Sequence, residues 1–257
     1  MVKKLCKNGY AALIYLFLYL PILVLIVYSF NDSRYRGNWS GFTLRWYQEL
    51  MKDHTIVSAL YNTFAIAILA SLIATVIGTA AAIGIHHMKP GTKAVFMNIT
   101  YLPVMNPDIV IGISLLALFV WLKLRLGFVT LLLAHITFNI PYVVLAVLPK
   151  IYQLNPHLEE AALDLGATPA QAFYKVILPE IMSGIVTGFL LAFTLSLDDF
   201  MVSFFTTGSG VNTLSIKIYS MTKLGVSPKI NALSTILFIG VLSLLIILQQ
   251  RASNIKE

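Results

Sequence analysis

Long apolar stretches constrain this chain more than any other feature of its sequence. Six of them are long enough, as helices, to cross about 30 Å of hydrocarbon. Their limits are about 10–30, 58–85, 96–122, 127–149, 182–206 and 230–250. Because 58% of the residues are hydrophobic and only 11% are charged, we predict an all-α integral membrane protein. It would have six transmembrane helices and a single domain over residues 1–257.

The N-terminal segment indicates how the first span enters the membrane. Lys3, Lys4 and Lys7 precede an apolar run that is too long for a typical signal peptide and is followed by no small-residue cleavage site. We interpret the run as an uncleaved first span with its N-terminus inside, so six spans place both termini in the cytoplasm. The 18 Lys and Arg residues divide equally between the two sides, so the positive-inside rule does not decide the orientation.

Several function classes are disfavoured by composition. The basic residues behind the net charge of +7 are spread through the loops, which favours contact with membrane lipid over nucleic acid. Cys6 is the single cysteine and the five histidines do not form a cluster with metal-ligand spacing, so no metal site is predicted. The sequence contains no G-x-x-x-x-G-K-[ST] phosphate loop, and we predict that the chain is not an enzyme.

Residues 155–180 form a charged segment between two apolar stretches. Its pattern predicts two short helices at the membrane surface, with Asn155 capping the first and Pro156 as that helix's first residue. Gly166 would end the first helix in a left-handed conformation. Thr168 and Gln171 would form a capping box at the start of the second helix, and Pro179 would break that helix.

Three of the 11 acidic residues lie inside apolar stretches, where charge is costly and usually marks a transport pathway. They are Asp108, Asp198 and Asp199. On straight helices, Asp108 and Asp198 would lie about 20 and 25 Å from the inner surface, with no Lys or Arg in either span. Such carboxylates predict a site for a cationic substrate.

Each acidic residue also has a structural alternative. Asp108 follows Asn106 and Pro107 and could instead cap a broken helix. Asp198 and Asp199 point about 100° apart on a helix, so one of them would face the pathway while the other bonds a neighbouring helix. We favour Asp198 for the pathway, and Trp46 in the first outer loop as an aromatic partner for the cation.

The segment 155–180 resembles the signature loop of permease subunits of ABC importers. That pattern is Glu-Ala-Ala, three residues, Gly, nine residues and Ile-x-Leu-Pro. It is kept by Glu160, Ala161, Ala162, Gly166 and Pro179, with Val176 in place of the Ile. Further segments, including YLPVMNPDIVIGISLL and FTLSLDDFMVSFFTTG, are similar to the spermidine/putrescine permeases of such importers.

This resemblance implies a type I importer fold in a bacterial inner membrane. The implied partners are a second permease subunit, two copies of a cytoplasmic ATPase and a periplasmic polyamine-binding protein. ATP and Mg would then bind to the ATPase, and this chain would bind no cofactor. The resemblance also implies that the loop docks on the ATPase, and that the outer segment including Lys217 and Lys229 helps to seat the binding protein.

Two alternatives remain open. The chain could serve an ABC importer for putrescine alone or for another small solute. It could also be an ion-coupled secondary transporter, which would use intramembrane carboxylates as proton carriers. Such a transporter would not need the loop at 155–180, and the inverted repeats expected of many such proteins are not visible in the sequence.

Overall fold

The structure, a computed structural model, describes residues 2–33, 38–223 and 228–254. Within these ranges the chain is helical, with one isolated antiparallel bridge between Asn31 and Phe42, so the predicted all-α class is confirmed. A π-helical turn, Phe173–Ile177, lies between two of the α-helices. The α-helices are α1 (Val2–Tyr28), α2 (Arg45–Met51), α3 (His54–His87), α4 (Pro90–Met105), α5 (Asp108–Trp121), α6 (Phe128–Tyr152), α7 (Leu158–Asp164), α8 (Pro169–Ala172), α9 (Leu178–Asp198), α10 (Met201–Thr206), α11 (Leu214–Lys223) and α12 (Pro228–Asn254).

Four stretches of helix in the described part of the chain are long and apolar enough to cross a membrane. They are Asn8–Tyr28, His54–His87, Phe128–Tyr152 and Pro169–Asp198. The pair α4 and α5 passes the same test jointly but bends by 107° at the break between them, so it supplies a fifth span if both halves belong to one crossing. The apolar part of α12, Pro228–Ser243, is shorter. A sixth span therefore stays a prediction.

The break between α4 and α5 places Asp108 at a helix terminus, as the first residue of α5. Asn106 has extended backbone, because the ring of Pro107 disfavours helical geometry in the residue before it. The depth of about 20 Å was counted along residues 94–108, most of which lie in α4 before the break. That depth stays a prediction, and the 107° bend redirects the residues that follow.

One compact unit, Ser58–Ile216, is built around the contact between α6 and α9. Gly184 and Gly188 lie one turn apart on the face of α9 that meets α6. A Cβ at Gly184 would lie 3.1 Å from Ala146 O, and a Cβ at Gly188 would lie 3.2 Å from Val143 Cγ1. The two glycines therefore allow the helix backbones to approach closely, as small residues do between helices in membranes.

A second compact unit comprises Met1–Val57 and Lys217–Glu257, in which α12 packs against α1 and α2. Asp53, between α2 and α3, lies in this unit, and its Oδ2 is 2.5 Å from Lys229 Nζ. Asp53 Oδ1 accepts hydrogen bonds from the Thr55 hydroxyl at 2.7 Å and the Thr55 N–H at 3.1 Å. The bond from Lys229 holds the pKa of Asp53 well below its usual range, although partial burial opposes the shift. Lys229 thus has an acidic partner within this unit.

Lys229→Met is expected to lower the stability of this unit by about 1 kcal/mol, the upper range for a partly exposed ion pair. Because the pKa of Asp53 is lower in the folded state, the pair's contribution is full above the ordinary Asp pKa of 3.8 and is lost as the pH falls further. Thermal unfolding in detergent, followed by circular dichroism, should show a constant difference between wild type and variant from pH 5 to 8. The difference should shrink below that pKa. A difference that grew on acidification would contradict the pairing.

Candidate functional site

Residues 155–180 are called the coupling segment, after the docking role that the resemblance implies, and their first helix begins later than expected. Asn155 Oδ1 accepts a hydrogen bond from the backbone N–H of His157 at 3.0 Å, and Asn155 O accepts one from Leu158 N–H. These bonds form a turn, so α7 begins at Leu158. The prediction that Asn155 caps the helix and Pro156 opens it is wrong, because the Asn side chain stabilises the local turn instead.

Gly166 ends α7 in the predicted conformation, with a φ of +86°. The N–H of Gly166 donates to Leu163 O at 2.9 Å and the N–H of Ala167 donates to Ala162 O at 3.1 Å. This pair of bonds is the Schellman arrangement, which satisfies the last carbonyls of a helix. A Cβ at Gly166 would meet nothing within 4 Å, so the backbone angle alone accounts for the glycine.

The predicted capping box at the start of α8 is confirmed. Gln171 N–H donates to Thr168 Oγ1 at 3.3 Å, and Thr168 N–H donates to Gln171 Oε1 at 3.1 Å. Pro169 is the first helical residue, where its missing N–H costs nothing. Helix, glycine turn and helix therefore follow one another as the sequence predicted.

Pro179 does not break the second helix, and that prediction is wrong. The helix runs without interruption over Pro169–Asp198, with Pro179 in the first turn of α9. Directly before it lies the π turn, in which Leu178 N–H donates to Phe173 O, five residues back. The wider turn changes the backbone path ahead of the proline, where α geometry would bring its ring against the carbonyl four residues earlier.

The coupling segment has a buried side and an exposed side. Ala162 and Ala172 are buried. The side chain of Glu160 is 74% exposed and lies 2.9 Å from His157 Nδ1. Leu165, at the turn, is 90% exposed. Glu160 and Leu165 are therefore both open to contact from outside this chain.

A cavity of about 510 Å³ lies behind this segment. Its walls come from the C-terminal ends of α3 and α6, from the start of the coupling segment and from the π turn, and include His86, His87, Tyr152, Glu159 and Phe173. A space therefore separates the start of the coupling segment from the ends of α3 and α6.

Asp198 and Asp199 differ sharply in their surroundings. Asp198 ends α9 with its side chain exposed. Asp199 is in extended backbone and its side chain is only 7% exposed. Its carboxylate accepts hydrogen bonds from Val202 N–H at 3.2 Å and Ser203 N–H at 2.7 Å, so it caps α10. Of the two, Asp198 is the one open to a ligand in this chain.

Close packing of α5 on α10 places Asp108 near the same region. Gly112, one turn beyond Asp108, is buried on the face where a Cβ would lie 3.1 Å from Met201 O and 2.9 Å from Phe205 Cδ2. Asp108 is exposed and lies within electrostatic range of Asp198 and of Tyr142. Two exposed carboxylates from two helix termini therefore share one region.

Tyr142 belongs to this region and was missed by sequence reasoning. Tyr142, Ile111 and Leu195 each pack against the same apolar cluster of the unit. Ile111 lies three residues after Asp108, and Leu195 lies three residues before Asp198. The available signal was an aromatic residue three positions after Asn139 in α6, but nothing in the sequence showed that α6 meets both helix termini.

Trp46 has a different environment from the one predicted. It lies in the other unit, is 4% exposed, and donates its indole N–H to Asn31 O at 2.7 Å. The guanidinium of Arg45 lies 5.4 Å from the ring centroid. The burial of the ring and the nearby Arg45 argue against contact between Trp46 and a substrate cation.

A bundle of apolar helices with an exposed helix-turn-helix and carboxylates at helix breaks is typical of a membrane transport component. Residues 74–254 match the family described as the binding-protein-dependent transport system inner membrane component. The chain therefore belongs to this family.

Relatives are similar over nearly the whole chain. The spermidine/putrescine transport system permease protein PotC of Escherichia coli strain K12 is 42% identical over 96% of this chain and 93% of its own length. PotC of Haemophilus influenzae is 38% identical over 97% of each. The putrescine transport system permease protein PotI of Escherichia coli strain K12 is 41% identical over 86% of this chain and 81% of its own length.

Solved structures show the same fold. A chain of a bacterial ABC transporter involved in the import of alginate superposes with a TM-score of 0.74, at 19% identity, over 97% of this chain and 94% of that chain. A chain of the MetNI methionine ABC transporter gives 0.62 at 18% identity, over 82% and 97%. The architecture is thus that of ABC importer permeases.

Gly112→Ala is expected to destabilise the packing of α5 on α10. The Phe205 ring can rotate away from a new Cβ, but Met201 O is backbone, so α10 must shift, and such overpacking costs about 1–3 kcal/mol. Thermal unfolding of the purified chain in detergent would measure the loss. Gly84→Ala is the matched control, because a Cβ there meets nothing within 4 Å and alanine favours the helix. Equal midpoints for the two variants would contradict the close contact.

Proposed function

We propose that this chain is a permease subunit of an ATP-driven ABC importer that moves spermidine and putrescine from periplasm to cytoplasm. The observation that supports a polyamine cargo is the proximity of Asp108 and Asp198, both exposed, at the ends of two helices. Neither α5 nor α9 contains a Lys or Arg. Two unneutralised carboxylates in one region suit a flexible polycation, and the named relatives transport such compounds.

The proposed topology is a single permease domain over 1–257 in the bacterial inner membrane, with six spans and both termini in the cytoplasm. The spans are those expected from the sequence, and the segment 155–180 faces the cytoplasm. This arrangement is supported by the apolar helices and by the family. It places Asp108 and Asp198 at the end of the bundle away from the coupling segment.

Coupling to ATP hydrolysis is assigned to the exposed side of the coupling segment. Glu160, Ala161, Ala162 and Gly166 form α7 and its cap, and Pro179 lies at the base of α9. In the proposed assembly, this surface docks on one of two cytoplasmic ATPase subunits that bind ATP and Mg. A second permease subunit completes the pathway, and a periplasmic binding protein delivers the polyamine. This chain itself is non-catalytic and binds no cofactor.

The two carboxylates are proposed to bind the polyamine weakly and transiently during transport. Asp108 and Asp198 would each accept hydrogen bonds from an ammonium group, with Tyr142 adding a phenol and an aromatic face nearby. Asp199 contributes differently, since its oxygens are already bonded to backbone N–H groups of α10. An open pair of carboxylates without a closed cage binds weakly enough to release its cargo towards the cytoplasm.

Glu160→Lys is expected to abolish transport while leaving the chain inserted in the membrane. The side chain is exposed, so the substitution reverses a charge on the docking surface without disturbing a core. Polyamine uptake by cells producing the whole transport system would be measured beside the amount of this chain in the membrane. Asp32→Lys is the control, because it makes the same charge change at an exposed position of the other unit, outside the coupling segment. Normal uptake by inserted Glu160→Lys would rule out the coupling role.

Asp108→Asn and Asp198→Asn should each raise the KM for labelled spermidine about tenfold or more, since hydrogen bonds to charged groups contribute about 1.5–3 kcal/mol. The assay is ATP-dependent uptake by vesicles or cells containing the partner subunits. Asp32→Asn, an exposed acid in the other unit, should leave KM unchanged.

The same assay distinguishes the cargo alternatives. Uptake of putrescine without spermidine would narrow the cargo to putrescine. ATPase activity in the assembled complex with no polyamine uptake would contradict the polyamine cargo and leave an ABC permease for another solute. Unchanged KM values in both Asn variants would remove the carboxylates from the pathway.

A further inference from the structure

Three polar contacts join α6 to the two helices on either side of the break at Asp199. They run in antiparallel order, so that each step towards the C-terminus of α6 meets an earlier residue of α10 or α9. The contacts are Thr130 Oγ1 to Thr206 O at 2.9 Å, His135 Nε2 to Ser203 Oγ at 3.0 Å, and Asn139 Nδ2 to Ser196 Oγ at 2.7 Å. We call them the α6 polar ladder. Its first two contacts hold α10, and the third holds α9.

His135 occupies the middle of the α6 polar ladder. Its side chain is fully buried. Nε2 lies 3.0 Å from Ser203 Oγ and 3.6 Å from Asp199 Oδ2, while Nδ1 has no hydrogen-bond partner among the described residues. A buried N–H without an acceptor is costly, so we assign the proton of the neutral ring to Nε2. That N–H then donates to Ser203 and lies beside the Asp199 carboxylate.

The neighbouring carboxylate is what ends one helix and starts the next. Asp199 accepts N–H bonds from Val202 and Ser203, two residues in the first turn of α10 whose N–H groups have no partner within the helix. Ser203 is therefore bonded to Asp199 through its backbone and to His135 through its hydroxyl. Through Ser203, His135 therefore contacts α10 at the same residue that Asp199 caps.

The position of α10 relative to α9 sets the relative placement of the two proposed pathway carboxylates. Asp198 is the last residue of α9, and the backbone angles at Asp199 set the direction in which α10 leaves it. Asp108 lies at the start of α5, and α5 rests on α10 through Gly112 and Phe205. A shift of α10 would therefore change the separation of Asp108 and Asp198.

We propose that His135 is a positioning residue for the cation pathway: it fixes α10 through Ser203 and so sets the placement of Asp198 relative to Asp108. This inference rests on the proposed function. It assigns to a buried histidine, which touches no substrate, a measurable effect on the affinity for polyamine.

Two substitutions of His135 separate its roles. Gln places an amide nitrogen near the position of Nε2, whereas Asn places one near Nδ1, which has no partner. His135→Asn should raise the KM for spermidine about two- to tenfold, the effect of losing one buried hydrogen bond. His135→Gln should recover most of the wild-type KM. Uptake would be measured with the complete transport system and corrected for the amount of this chain in the membrane.

A double-mutant cycle tests whether His135 acts through Asp198. If it does, adding His135→Asn to Asp198→Asn should raise KM little beyond Asp198→Asn alone, because coupled residues are not additive. If His135 is only structural, the two effects on KM should multiply, or His135→Asn should lower only Vmax and the amount inserted. Either of these results would overturn the inference, as would equal KM values for the Gln and Asn variants.

Ser203→Ala provides a second route if His135→Asn does not insert. It removes the hydroxyl partner of His135 and should raise KM by a similar factor. An unchanged KM for an inserted Ser203→Ala would also overturn the inference. These failures differ from failure of the proposed function, in which Asp198→Asn itself would leave KM unchanged.

Discussion

The structure depends on one constraint: backbone N–H and C=O groups within hydrocarbon find no water and must be paired inside the protein. Continuous helices meet this requirement by themselves, but the chain interrupts helices at two apolar sites, before Asp108 and after Asp198. At the second break, Asp199 supplies acceptors for two N–H groups of α10. A carboxylate is well suited to this place because the start of a helix carries partial positive charge.

The same breaks bring the two carboxylates proposed for the pathway into one region. An acidic residue at a helix terminus borders each interruption, and the packing of α5 on α10 and of α6 on α9 brings the two termini into one region. Small residues allow both contacts: Gly112 for the first pair, and Gly184 with Gly188 for the second. The carboxylates proposed for the pathway are thus placed by backbone proximity, without a loop that would have to fold around the substrate.

Local patterns in the sequence predicted local structure well. The left-handed cap at Gly166 and the Thr168–Gln171 box depend on residues at most five positions apart, so their chemistry is contained in a few letters. The prediction that Asn155 caps a helix was wrong because its side chain can stabilise either a helix start or a local turn, and in the structure it stabilises the turn. The prediction that Pro179 breaks the helix was wrong because a widened turn, which has no sequence signature, can accommodate a proline.

What depended on distant residues could not be predicted. A histidine inside an apolar stretch needs a polar neighbour, but nothing in the sequence indicated that for His135 this neighbour would be Ser203, 68 positions away. Tyr142 gave no signal of its proximity to Asp108, since that proximity arises from the 107° bend and the packing of α5.

The π turn has a geometric consequence for the helix that contains it. Pro169–Asp198 is one 30-residue helix, roughly 45 Å long at 1.5 Å per residue, with the coupling segment at one end and Asp198 at the other. A π turn accommodates one residue more than an α turn, and one residue corresponds to about 100° of rotation. The turn therefore sets the rotation about the helix axis that relates the side chains at one end of this helix to those at the other end. Had α geometry continued through Phe173–Ile177, the side chains of α8 would point in a different direction relative to Asp198. The direction in which this surface faces around the helix axis therefore depends on the number of residues in this turn rather than on the identity of any single residue.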